Sequence, residues 1–155
     1  MTPAILLVRK SGVAHDVLEY SHDPGAASYG REAVDALGLD ADAVFKTLVV
    51  DVEGKGLVCG VIPVGNMLDL KALADALGGR RAKMAEAADA ERATGYVLGG
   101  ISPLGQRKQL PVILDASALD LPRMYCSAGR RGLELSLAPQ DFVKLAKART
   151  ARIAR

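Results

Sequence analysis

Two apolar runs, Lys46 to Val52 and Leu57 to Pro63, stand on either side of Glu53-Gly54-Lys55-Gly56. Each run is strand-length, and a short glycine-containing link between two such runs is a hairpin signal. The pair predicts two antiparallel strands at the centre of a sheet, and the rest of the chain has to pack around them.

The flanking segments read as helices and shorter strands. Thr2 followed by Pro3 starts a helix with a capping hydroxyl and a first-turn proline, and Gly12 after Arg9 and Lys10 stops it. Ala14 to Tyr20 reads as a strand, with Tyr20 at its end, and the Pro/Gly-containing stretch Ser21 to Ser28 as a loop able to carry function. Ala33, Val34 and Leu37 sit at helical spacing before Gly38, and a further helical turn at Asp40 to Val44 leads into Lys46. Asp69 caps a helix that runs through Leu77, and Ala85 to Thr94 forms another, stopped by Gly95. Tyr96 to Leu98 and the Gly99 to Gly105 loop follow, and strands are expected at Pro111 to Asp115, Met124 to Ser127 and Leu133 to Leu137. Pro139 opens a last helix that carries Lys144, Lys147 and the terminal arginines on its polar side. The fold class expected is α/β (α+β): one domain, residues 1–155, with a mixed, mostly antiparallel and partly barrel-like sheet surrounded by helices.

Composition narrows the function. A chain of 155 residues, half of them hydrophobic, can bury one core without disulfide or metal staples. With two Phe, four Tyr and no Trp, base-stacking rings would have to be sparse, so nucleic-acid contacts would lean on charge. The net charge is only +2, but Lys144, Lys147, Arg149, Arg152 and Arg155 follow one another with no acid after Asp141. Cys59 and Cys126 lie in apolar strand-like runs and lack any zinc spacing, so reduced, buried thiols are expected. Met1 to Lys10 lacks the order of a signal peptide, and no run approaches the ~20 apolar residues of a membrane helix. The expected location is the cytoplasm.

The familiar catalytic signatures are missing: there is no G-x-S-x-G, H-E-x-x-H, P-loop or G-x-G-x-x-G. His15 and His22, seven residues apart across a strand end, make a poor metal site and receive no role. Lys46 is an ammonium at the mouth of a core strand, which suits either a snorkelling strand-end lysine or a binding group. The Gly99-Gly100-Ile101-Ser102-Pro103-Leu104-Gly105 loop offers backbone N–H groups to a phosphate or an oxyanion, or is simply a tight turn. The glycine-bracketed Ser127-Ala128-Gly129-Arg130-Arg131-Gly132-Leu133-Glu134 fits phosphate contacts or a charged hairpin turn equally well.

Four ordered stretches, Thr2-Pro3-Ala4, Val44-Phe45-Lys46-Thr47-Leu48, Gly99 to Gly105 and Ser127 to Glu134, together resemble the YbaK/EbsC family of transfer-RNA deacylases. That fold is shared with the editing domain of bacterial prolyl-tRNA synthetases, and the resemblance spans nearly the whole chain. It implies a central role for Lys46 in binding the aminoacylated end of the RNA, with Tyr20 and Gly99 beside it as catalytic residues. It further implies substrate contacts from Thr47, Gly100, Ile101, Ser102, Ser127 and Glu134, the last standing where the family commonly has Asp. The substrate implied is mischarged Cys-tRNA(Pro), cleared without metal or cofactor and in association with prolyl-tRNA synthetase. The expected mechanism is attack of the substrate's own thiol on its ester, which needs no enzyme nucleophile. Arg130, Arg131 and Lys147 are candidates for the RNA backbone, and a homodimer is a further possibility. A water-using deacylase for alanine or another small amino acid, and an inert RNA- or nucleotide-binding module, stay open as alternatives.

Overall fold

A computed structural model describes residues 1–23 and 29–155. The expected functional loop at Ser21 to Ser28 therefore lies partly outside the described residues. The hairpin anticipated from the two apolar runs is formed by β2 (Phe45–Val52) and β3 (Gly56–Pro63), paired antiparallel from Phe45 opposite Pro63 to Val52 opposite Gly56. On one side β2 pairs antiparallel with β4 (Ala82–Met84). On the other side β3 runs parallel to β5 (Val112–Asp115), which is in turn parallel to β8 (Arg149–Ala151). A second sheet holds β7 (Leu133–Leu137) between β1 (His15–Glu19) and β6 (Met124–Ser127), all antiparallel.

The central runs are apolar at consecutive positions because both faces of the five-stranded sheet are covered. Val49, Cys59, Val61 and Leu114 point into one core shared with the second sheet, while Val50, Val58, Ile62 and Ile113 point into another. Helix α1 (Pro3–Ser11) supplies Ala4, Ile5 and Val8 to the first core, and α5 (Pro139–Ala146) supplies Phe142 and Ala146. Helix α3 (Leu70–Ala76) closes the second core with Leu73 and Ala74. Helices α2 (Tyr29–Leu37) and α4 (Ala87–Thr94) complete the set, with one 3-10 turn at Ala116–Asp120.

Capping follows the sequence signals closely. The Thr2 hydroxyl accepts from the Ile5 N–H at 3.2 Å and donates to the Ala128 carbonyl at 2.5 Å, so the Thr-Pro-Ala start also ties α1 to the segment after β6. Asp69 caps α3 by accepting from the Ala72 N–H at 3.0 Å.

Three expectations are corrected. The sheet is not barrel-like: it divides into two separate sheets that touch through an isolated parallel bridge between Val44 and Tyr125. The helix expected from Ala85 begins at Ala87, since Ala85 still donates its N–H to the Val49 carbonyl at the end of β4. The last helix does not carry the terminal arginines: Lys147, at φ 52, turns the chain left-handed, and Arg149 enters β8, where pairing to β5 supplies hydrogen bonds that the helix ends.

Among the described residues no helix is long and apolar enough to cross a membrane. Cys59 and Cys126 are buried free thiols, as their strand contexts predict.

Candidate active site

The two sheets meet where β2 begins. There the Tyr125 N–H donates to the Ala43 carbonyl at 2.9 Å, so β6 leans on the residues just before Phe45. A cleft of about 440 Å³ opens at this junction. Its polar groups come from strand ends: Lys46 and Thr47 from β2, Ser127 from β6, Glu134 from β7, and Tyr20 immediately after β1. Gly99 and Ile101 line it from the glycine loop, and Arg130 from the β6–β7 turn.

Strand register does much of the positioning. Glu134 stands opposite Ser127 on one side and Leu18 on the other. The Tyr20 N–H donates to the Gly132 carbonyl at 2.9 Å, which extends the β1–β7 ladder by one step and sets the phenol beside the carboxyl. The Lys46 ammonium donates to the Val64 carbonyl at 3.2 Å, and among the described residues it forms no ion pair.

The electrostatics are those of a half-dry pocket. Glu134 is 6% exposed, its Oε2 has no hydrogen-bond partner, and burial pushes its pKa up to about 8. The carboxyl is therefore mostly neutral at neutral pH. Burial lowers the Lys46 pKa from that of a free lysine. Burial also raises the Tyr20 pKa, opposed by the Gly132 backbone and reinforced by Glu134 and Glu32, so the phenol keeps its proton. Thr47 Oγ1 is a second buried polar atom without a partner.

Of the other residues singled out in the sequence, several shape the cleft without facing it. A Cβ on Gly100 would stand 3.1 Å from both the Arg130 Cα and the Arg131 N, so only glycine lets the loop lie against the β6–β7 turn. Ser102 is fully buried, and its hydroxyl accepts from the Leu104 N–H at 3.2 Å, a turn-stabilising bond. Arg131 donates from Nη2 to the Leu98 carbonyl at 3.0 Å. Lys147 lies at the end of α5, just before β8, which is the sheet edge opposite the β4 edge beside the cleft.

Sequence reasoning missed the apolar wall made by Leu48, Met84, Ala85, Ala87 and Leu98, and missed Gly30 at the start of α2. It also gave His22 no role, whereas His22 Nδ1 lies 2.8 Å from Glu32 Oε1 and Nε2 lies 3.5 Å from Arg131 Nη1. The wall could be foreseen only from the pairing of β4, a strand too short to show a period. The His22–Glu32 pair joins residues ten apart with no motif between them.

A strand-end cleft with an ammonium that forms no ion pair among the described residues, a neutral acid and a mostly apolar wall has the chemistry to hold a small polar end group. Comparison with known proteins makes the class specific. Residues 23–145 match the model of the aminoacyl-tRNA editing domain, and the chain belongs to that family. It is an editing enzyme of the aminoacyl-tRNA deacylase class.

An Enterococcus faecalis protein provisionally named Cys-tRNA(Pro)/Cys-tRNA(Cys) deacylase EbsC is 35% identical over 152 residues, covering 98% of this chain and 92% of that one. A proline–tRNA ligase of Shouchella clausii is 35% identical over 134 residues, which is 85% of this chain and 23% of the ligase. A crystal structure described as that of a proposed trans-editing enzyme for prolyl tRNA synthetase superposes with a TM-score of 0.83 at 25% identity, over 100% of this chain and 99% of the other.

Proposed function

We propose that residues 1–155 act as one trans-editing unit, in the cytoplasm and alongside prolyl-tRNA synthetase, that removes cysteine from mischarged tRNA for proline. The observation that carries the reading is a cleft equipped to position a substrate but holding no activated nucleophile among the described residues. Ser127 has its hydroxyl engaged by the Gly129 N–H at 3.1 Å and has no histidine beside it. Cys59 is a core thiol whose pKa burial raises to about 11, and Cys126 is raised further by the same cause. Neither makes a thiolate at neutral pH.

The substrate supplies what the cleft lacks. The sulfur of the attached cysteine forms a bond to its own ester carbonyl carbon, the bond from that carbon to the ribose oxygen breaks, and the thiol proton passes to the departing oxygen. The products are a cysteine thiolactone and free tRNA. The enzyme's work is to hold sulfur and carbonyl together and to stabilise the oxyanion. Lys46 takes the terminal adenosine phosphate, where an ammonium with no counter-ion gains most from an anion. Tyr20, Ser127 and Glu134 orient the amino acid and ribose, Thr47 and Ile101 flank them, and the Gly99 N–H faces the oxyanion. Selection by chemistry is needed because a small pocket separates near-isosteres such as cysteine and proline by only ~1–3 kcal/mol.

The test is release of labelled amino acid from cysteinyl-, seryl- and alanyl-tRNA for proline by wild type and Lys46→Ala. Release of cysteine alone, lost in Lys46→Ala, is the expected result, and full turnover by Lys46→Ala would overturn the assignment. A second reading, hydrolysis by an ordered water, is favoured by Thr47 Oγ1 and Glu134 Oε2, two unpartnered polar atoms able to hold one. It predicts equal release of serine or alanine.

A further inference from the structure

Arg131 is the second arginine of a turn whose sequence suggests phosphate contacts, yet its guanidinium reaches across to the glycine loop. Nη2 donates to the Leu98 carbonyl at 3.0 Å. That carbonyl shares one peptide plane with the Gly99 N–H, and the chain has no cis peptide bond among its described residues, so the two groups point in opposite directions. A donor fixed on the Leu98 oxygen thus fixes the direction of the Gly99 N–H. Gly99 lines the cleft at φ 89, a conformation suited to glycine, and its N–H has no backbone acceptor among the described residues.

The guanidinium is itself aimed. Glu32, held ionised first by its bond to His22 and then by the Asp23 N–H, can only accept, so His22 Nδ1 carries the proton toward it. In neutral His22 this leaves Nε2 as an acceptor, facing Arg131 Nη1 at 3.5 Å. The order is Glu32, His22, Arg131, the Leu98 carbonyl, the Gly99 N–H. The acid and the histidine hold the guanidinium in place, and a peptide whose carbonyl accepts from a cation is a stronger N–H donor.

We propose that Arg131 is a positioning residue, which aims and strengthens the Gly99 N–H as the oxyanion donor by holding the other end of the same peptide. The proposal rests on the deacylase reading above. It assigns the two arginines different work: Arg130 lines the cleft and remains available to the RNA, while Arg131 serves the backbone.

Arg131→Ala should lower kcat about 10- to 100-fold, somewhat less than outright loss of an oxyanion donor, with KM for charged tRNA nearly unchanged. Added guanidinium ion should restore part of the kcat of Arg131→Ala and leave wild type unaffected. Arg131→Lys, which keeps the charge but not the planar fork, should remain slow. A raised KM at constant kcat, with a salt slope shallower by about one, would mean a phosphate contact and overturn the proposal. Nuclear magnetic resonance of the free protein separates this idea from the substrate assignment. The Leu98 carbonyl carbon and Gly99 amide nitrogen should shift in both variants while the sheet resonances stay in place. Unchanged Leu98 and Gly99 signals refute the positioning role whatever the enzyme cleaves.

Discussion

Replacing Glu134 by Gln tests the electrostatic reading of the cleft without relying on any substrate. The folded carboxyl titrates at about 8 against 4.5 for a free one, because burial disfavours the anion. Between those values the native state holds a proton that the unfolded chain has released, so stability is highest below about pH 4.5 and falls as pH rises through 8. At ~1.4 kcal/mol per pH unit, wild type should lose about 3 kcal/mol between about pH 5.5 and about pH 8 through this group. Glutamine keeps the shape and a donor where the acid carries its proton, but it does not titrate. Urea unfolding of both proteins across that range is the assay, and the change amounts to roughly 1 to 2 M in midpoint at ordinary urea slopes. Tyr20, raised above 10, does not titrate in this range, and Lys46 is shifted by burial, which both proteins share. Parallel pH profiles for wild type and Glu134→Gln would show that the carboxyl is already ionised or well solvated, and the argument would fail.

Two further outcomes follow from the same contacts. Gly100→Ala forces a Cβ to 3.1 Å from Arg130 and Arg131 backbone atoms that cannot swing aside; it should cost about 1–3 kcal/mol in chemical denaturation and reduce deacylation by displacing Gly99. Lys46→Met removes a desolvated ammonium and keeps the alkyl stem, so unfolding should show no loss of stability while deacylation is abolished; a large drop in stability would return Lys46 to a structural role.

The strands that make the centre of the fold were legible because burial on both faces writes itself as consecutive apolar residues, as in Val58 to Ile62. The helix starts were legible because Thr2 and Asp69 perform chemistry that only a few residue types can perform. What escaped was decided by partners distant in sequence. The segments Ala82–Met84 and Arg149–Ala151 are strands only because β2 and β5 offer free edges to pair with, and nothing local distinguishes them from loop or helix. The cleft divides in the same way. The motifs singled out Lys46, Gly99, Ser127 and Glu134, and all four line one cavity. Arg131 was found as well, but its sequence context pointed outward to phosphate, and only the fold turns it toward the Leu98 carbonyl.

That division has a physical basis in how such a site must be built. A nucleophilic enzyme concentrates its chemistry in a few side chains, and these leave a motif. A site that works by positioning spreads the task over backbone direction, strand register and glycine packing, where the requirement on any single residue is weak. In the site as proposed, the donor is a peptide N–H, its direction is set by Arg131 on the carbonyl at the other side, and Arg131 lies against a histidine on a third segment. Glycine at position 100 permits the approach, and Tyr20 is placed by a single hydrogen bond to the Gly132 carbonyl. On the proposed mechanism, selectivity depends less on which side chains face the substrate than on how rigidly two turns, 99–105 and 128–132, are pressed together.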